Sequence, residues 1–196
     1  MSSLSVDLRE SRVLLMENNK MMRRLVRDML LSFRIKQDNI VEVEGVDDAL
    51  EFIYSRTFDI VITEFFLGDL DGGDFAHHIR RDANCINRKV PILLTTSSPN
   101  HEKVLKVLEA GINGVLAKPI APSALYFRIF SILSRPRPFV VTKDYIGPSR
   151  SIQRLESIQR LSRSASVRRQ WRSVYRANVT YPDQPNKSVA HDPFLL

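Results

Sequence analysis

The chain has 196 residues, 43% hydrophobic and 26% charged, and a formal net charge of +7. That is enough for one ordinary domain with a proper core and an appendage. A single cysteine, Cys85, excludes an internal disulfide framework and a cysteine-rich zinc site. No secretory leader pattern and no apolar run of bilayer-crossing length is present, so a cytoplasmic protein without membrane insertion is expected.

A short polar lead-in (1–10) precedes "RVLLME" (12–17), which reads as a buried strand. Asn19 is placed to cap the next helix, where Met21, Met22, Leu25, Val26, Met29, Leu30 and Phe33 recur at helical spacing. "NIVEVE" (39–44) alternates like a strand, and "VDDALEFIYS" (46–55) returns to the helical period. "FDIVIT" (58–63) is apolar nearly throughout, as expected of a parallel strand covered on both faces. An acidic, glycine-rich loop (68–73) follows Glu64, and "GDFAHHIRRD" (73–82) reads as helix. "KVPILLTT" (89–96) is a further buried strand. The helix "NHEKVLKVLEAG" (100–111) is capped by Asn100 and stopped by Gly111. A short strand "GVLAKP" (114–119) and an amphipathic helix "PSALYFRIFSILS" (122–134) complete five β–α units. Such alternation predicts a parallel sheet with helices on both sides. The apolar set is complete within 11–134, so that part is expected to fold alone.

Past Ser134 the texture changes. Residues 135–196 hold twelve Lys/Arg against four Asp/Glu, an excess of eight positive charges, whereas 1–134 is nearly neutral. This Arg/Ser-rich extension contains SIQRL twice, at 151–155 and 157–161. Ile152, Leu155, Ile158 and Leu161 form one weak helical stripe, with Trp171 and Tyr175 beyond it. The extension is expected to be mostly disordered or partly helical.

Four polar features fall at the ends of successive strands. Glu17-Asn18 follows the first, Glu64 the third, Thr96-Ser97 the fourth and Lys118-Pro119 the fifth. In a doubly wound sheet those ends converge on one crevice. A carboxylate, a hydroxyl and an ammonium around an acidic loop make a site for a phosphate or a cation. Other patterns carry less: His77 and His78 are adjacent and diverge on a helix, "HEKVL" (101–105) lacks a second metal-binding histidine, and no Walker-type loop is present.

"VLLMENN", "MMRRLVRDML" (21–30), "DIVITEFFLGDLDG" (59–72), "PILLTTS" (91–97) and "GVLAKP" (114–119) together resemble the receiver domain of two-component response regulators, especially the chemotaxis, CheY-like type. The resemblance covers 11–134 and implies a flavodoxin-like (βα)5 doubly wound fold. "FVVTKDYIGPSR" (139–150) is similar, more weakly, to an extension on some alphaproteobacterial receivers. The family implies Mg²⁺-dependent phosphorylation of an aspartate that shifts a two-state surface. By position, Glu64 stands at the phosphoacceptor, Glu17 and Asn18 at the acidic pair, and Phe66 at the residue whose backbone carbonyl meets the metal. Thr96 stands at the switch hydroxyl, Val115 at the aromatic switch position and Lys118 at the phosphate-contacting lysine, with a cis bond before Pro119.

Three of these positions depart from the pattern: Glu64 replaces Asp, Asn18 replaces an acid, and Val115 has no ring. Mg²⁺ draws most of its binding from carboxylate oxygens, so an amide at 18 weakens it. Glu64 is one methylene too long for in-line phosphoryl transfer, which tolerates little misplacement, but long enough to reach Lys118 directly. The expectation is therefore a degenerate receiver with no cofactor or a weakly bound Mg²⁺, not an enzyme. It would bind a histidine kinase, phosphotransferase or downstream effector through the face of the fourth helix, fifth strand and fifth helix. One alternative is a phosphate-accepting receiver with residual Mg²⁺-dependent activity. Another is a nucleic-acid-binding regulator working through the basic extension.

Overall fold

The computed structural model describes residues 7–67 and 70–150. Five strands form one parallel sheet: β1 (Val13–Met16), β2 (Ile40–Val43), β3 (Ile60–Glu64), β6 (Ile92–Thr96) and β7 (Gly114–Ala117), in the order β2-β1-β3-β6-β7. Between β3 and the next helix, β4 (Phe66–Leu67) and β5 (Leu70–Asp71) pair antiparallel as a small ribbon. The helices are α1 (Lys20–Ser32), α2 (Val46–Ser55), α3 (Gly72–Arg81), α4 (His101–Glu109) and α5 (Pro122–Ser134).

Alternation along the strands divides the core into two layers. Leu14, Met16, Val61, Ile92 and Leu94 pack with Ala49 and Ile53 of α2, Phe75 and Ile79 of α3, and Val107 of α4. Val13, Leu15, Ile60, Ile62, Leu93 and Leu116 pack on the other face with Val26 and Leu30 of α1 and Leu125 and Ile129 of α5. Both faces are covered, which is why the central strands read as continuous apolar runs.

The helix starts follow local chemistry. Asn19 Oδ1 accepts from Met22 N at 3.0 Å and Asn100 Oδ1 from Lys103 N at 2.8 Å, so both expected caps are made. Asp71 and Asp74 form a reciprocal capping box at the start of α3. The stripe expected on α1 is narrower than its apolar residues: Val26, Met29 and Leu30 are buried, whereas Met21 and Leu25 face solvent.

Two expectations at the ends need correction. The lead-in is not separate from the body, because Leu8, on a short 3-10 turn (Leu8–Glu10), lies in the core beside Ile35. The extension does not begin its independent course at 135. β8 (Phe139–Val141) and β9 (Ile146–Pro148) form an antiparallel hairpin, and the compact unit that holds the sheet runs to Pro148. The hairpin is held by the domain rather than by its own few apolar groups. Phe139 lies 5.5 Å from the guanidinium carbon of buried Arg80. A Cβ at Gly111, whose φ is +91°, would come within 2.6 Å of Ile146 O, and one at Gly147 within 2.7 Å of Gly111 Cα. The repeated SIQRL segment, Trp171 and Tyr175 lie outside the described residues.

Candidate functional site

The carboxyl ends of β1, β3, β6 and β7 meet along one edge of the sheet, where Glu17, Glu64 and Lys118 form one ion-paired cluster while the Thr96 hydroxyl accepts from Ser98 N instead. Lys118 Nζ donates to Glu17 Oε2 at 2.6 Å and makes a close ion pair with Glu64 Oε2. All three side chains are nearly closed to solvent, at 13% exposure for Lys118, 3% for Glu17 and 7% for Glu64. Burial alone would lower the lysine pKa. The hydrogen bonds and charges of Glu17 and Glu64 more than offset it and hold the ammonium above its ordinary value.

Each carboxylate is also fixed from its other oxygen. Glu17 Oε1 accepts from Asn19 N at 3.0 Å, and Glu64 Oε1 curls back onto Phe65 N at 2.8 Å. Glu64 Oε2 is buried and, apart from its ion pair with Lys118, has no hydrogen-bond partner. The backbone behind Glu64 is equally fixed: Phe65 N donates to Thr95 O, and Gly72 N to Phe65 O, both at 3.0 Å. Gly72 is required there, since a Cβ would fall 2.5 Å from Glu64 O.

Asn18 Nδ2 donates to the backbone carbonyl of Phe66 at 3.1 Å. Thr96 is buried at the end of β6, where its Oγ1 accepts from Ser98 N at 3.2 Å and its carbonyl accepts from Lys118 N at 2.8 Å. Val115 is buried in β7 and pairs with Leu94. The Lys118-Pro119 bond is cis.

Arg23 was not legible as part of this site. Its guanidinium, 12% exposed, donates to Glu17 O at 2.7 Å and to Glu44 Oε1 at 2.7 Å, so the β1–α1 loop is pinned to the end of β2. A basic residue in the first turn of an amphipathic helix carries no mark that distinguishes it from a solvated one.

The donor set does not suit a divalent cation. The two carboxylates already share one ammonium, the Phe66 carbonyl holds an amide N–H, and the residue beside Glu17 is neutral. Among the described residues no group of three or more His, Cys, Asp or Glu side chains is placed to hold a metal.

Acidic groups around one lysine at the carboxyl edge of an open parallel sheet lie where such sheets bind their ligands. The response regulator receiver domain profile matches residues 13–130, and the chain belongs to that family, the receiver modules of two-component signal transduction. It is 24% identical over 124 residues to the chemotaxis protein CheY of Pseudomonas aeruginosa, covering 63% of this chain and 97% of that one. The receiver domain of sensor histidine kinase PA1611 from the same organism, solved with a magnesium ion in its active-site cleft, is 26% identical. It superposes with a TM-score of 0.56 over 64% of this chain and 98% of its own. A two-component response regulator from Clostridium difficile shares the fold at a TM-score of 0.57 and 24% identity, over 64% of this chain and 98% of that one. No helix among the described residues is long and apolar enough to cross a membrane.

Proposed function

We propose that this chain is a degenerate receiver that acts by phosphorylation-independent protein–protein binding, with a fixed charge pattern where a phosphoryl group would otherwise sit. One observation carries the reading: Lys118 is ion-paired at once with Glu17 and Glu64. An acceptor oxygen must be open to the donor and correctly placed for in-line transfer. Glu64 instead spends one oxygen on the ammonium and the other on Phe65 N. Its extra methylene carries the carboxylate further from β3, and at that reach it pairs directly with Lys118.

On this reading Glu64, Glu17 and Lys118 set a permanent state of the sheet edge, while Thr96 and Val115 stay as packed strand residues. Mg²⁺ is bound weakly or not at all, because Asn18 offers an amide that already serves Phe66. The chain then works in the cytoplasm as a binding module, not an enzyme. Its partner, a histidine kinase, a phosphotransferase or a downstream effector, docks on α4, β7 and α5.

The test is a titration of Mg²⁺ with beryllium fluoride into the parent, Asn18→Asp, Glu64→Asp and the double variant, followed by amide shifts at 64–66, 96–98 and 116–118. Silence in the parent and uptake only in the double variant is expected, since both positions serve one ion and their effects are not additive. Tight Mg²⁺-dependent uptake by the parent would overturn the reading in favour of a phosphate-accepting receiver. A silent double variant would overturn the roles carried over to Thr96 and Lys118.

A further inference from the structure

Phe66 ties together two parts of the molecule that are far apart in sequence. Its carbonyl accepts the hydrogen bond from Asn18 Nδ2 on the β1–α1 loop. Its ring, 50% exposed, lies 4.7 Å from the ammonium of Lys103 on α4. The same ammonium is 5.4 Å from the ring of Phe65, which meets Phe66 edge to face with centroids 4.7 Å apart. Both contacts lie inside the range in which a cation is attracted to an aromatic face.

Three residues along α4, on the same side of the helix, Lys106 Nζ pairs with Asp71 Oδ2 at 2.8 Å and lies 3.9 Å from Asp74 Oδ1. α4 is therefore attached to the 66–71 ribbon at two points, an aromatic one near its start and an ionic one further on. The exposed ring of Phe66 contributes little to the core and lies against the Phe65 ring and the Lys103 ammonium. The side chain and carbonyl of one residue share one backbone segment, so displacing the carbonyl also displaces the ring.

We propose that Phe66 is a positioning residue that couples the β1–α1 loop to α4, with Asn18 holding its carbonyl and Lys103 holding its ring. A change at Asn18 is then felt at the start of α4. The coupling does not depend on whether the site accepts a phosphoryl group, so beryllium fluoride uptake and this relay fail or stand independently.

The experiment is amide hydrogen exchange of the full chain, read over α4, in the parent, Asn18→Ala, Lys103→Met, Phe66→Leu and the Asn18→Ala/Lys103→Met pair, with the β6 amides as internal reference. Asn18→Ala and Lys103→Met should each speed exchange at 103–107 by about twofold to fivefold, the weight of one exposed cation–π contact. The pair should show no more than the larger single effect, because both act through one ring. In Phe66→Leu, adding Asn18→Ala should leave α4 unchanged. Lys106→Met serves as the contrast, speeding α4 by the same factor whether or not Asn18 is present. Unchanged α4 exchange in Asn18→Ala, or single effects that multiply in the pair, would overturn the coupling.

Discussion

Arg80 is the side chain whose removal the structure prices most clearly. It is 1% exposed, and its hydrogen bonds end on carbonyl oxygens, not on a carboxylate. Nη1 donates to Arg88 O and Nη2 to Val90 O, each at 2.6 Å, while Nε and Nη2 reach Gly111 O at 3.3 and 3.2 Å. Burial pushes the guanidinium pKa down to about 10, so the group is still charged at neutral pH. Arg80→Leu removes two short charge-assisted bonds, worth about 1.5–3 kcal/mol each, and leaves three carbonyls without this donor. Against that stands the cost of burying an uncompensated cation, several kcal/mol, which the variant no longer bears. The balance is a loss of roughly 2–4 kcal/mol. Arg80→Lys keeps the charge, but one ammonium cannot reproduce a planar fork, and about 2 kcal/mol should still be lost. Denaturant unfolding at neutral pH measures both. If both variants unfolded within about 0.5 kcal/mol of the parent, the account of Arg80 as the bond between the 88–90 loop, Gly111 and the hairpin would be refuted.

Two further outcomes follow from the same contacts and from the site. A chain ended after 150 should melt as the parent does, whereas one ended after 136 loses the Phe139 ring over Arg80 and the contact of Gly147 with Gly111. A desolvated cation–π contact is worth about 2 kcal/mol, so the shorter chain should melt several degrees lower in calorimetry; equal midpoints would mean that the hairpin is not part of the fold. On the alkaline side, burial and then the Asp82 hydrogen bond raise Tyr54 from 10.0 to about 12, and Lys118 is held above 10.5. Both groups keep their protons longer in the folded chain, so the stability they contribute is complete below pH 10 and is lost as pH rises through their folded values. Buried Arg80, held down to about 10, works in the opposite sense over the same range, so the readout is a difference. Urea unfolding between pH 10 and 12 should lose less stability in Tyr54→Phe than in the parent; equal slopes would remove Tyr54 from the account.

What was readable in the sequence is what local chemistry decides. Asn19 and Asn100 cap helices because an amide oxygen two or three residues ahead of a helical turn has few better acceptorless N–H groups to serve. The strands were legible because burial on both faces leaves no polar alternation, and the four strand ends converge by topology alone. The hairpin at 139–148 was not, because its strands are three residues each and its support comes from Arg80 and Gly111. Arg80 itself sits in the last turn of an amphipathic helix, where a basic residue ordinarily reads as solvated, and the carbonyls that receive it arrive from two remote loops.

The site divides along the same line. That Glu64 is one methylene longer than an aspartate is visible in a single letter, and so is the neutral Asn18. The consequence of each depends on where the neighbouring groups stand. A longer carboxylate with Lys118 out of reach would extend toward solvent; with the ammonium held between Glu17 and β3, it closes the cluster. A neutral amide with no acceptor nearby would be a missing ligand; with the Phe66 carbonyl at 3.1 Å it becomes a donor that fixes the ribbon. The two substitutions thus act in one direction for different reasons: the first neutralises the lysine from inside, and the second occupies the carbonyl that a cation would need. Restoring either alone leaves the other constraint in place, which is why the recovery of cation-dependent uptake should appear in the double variant and in neither single one.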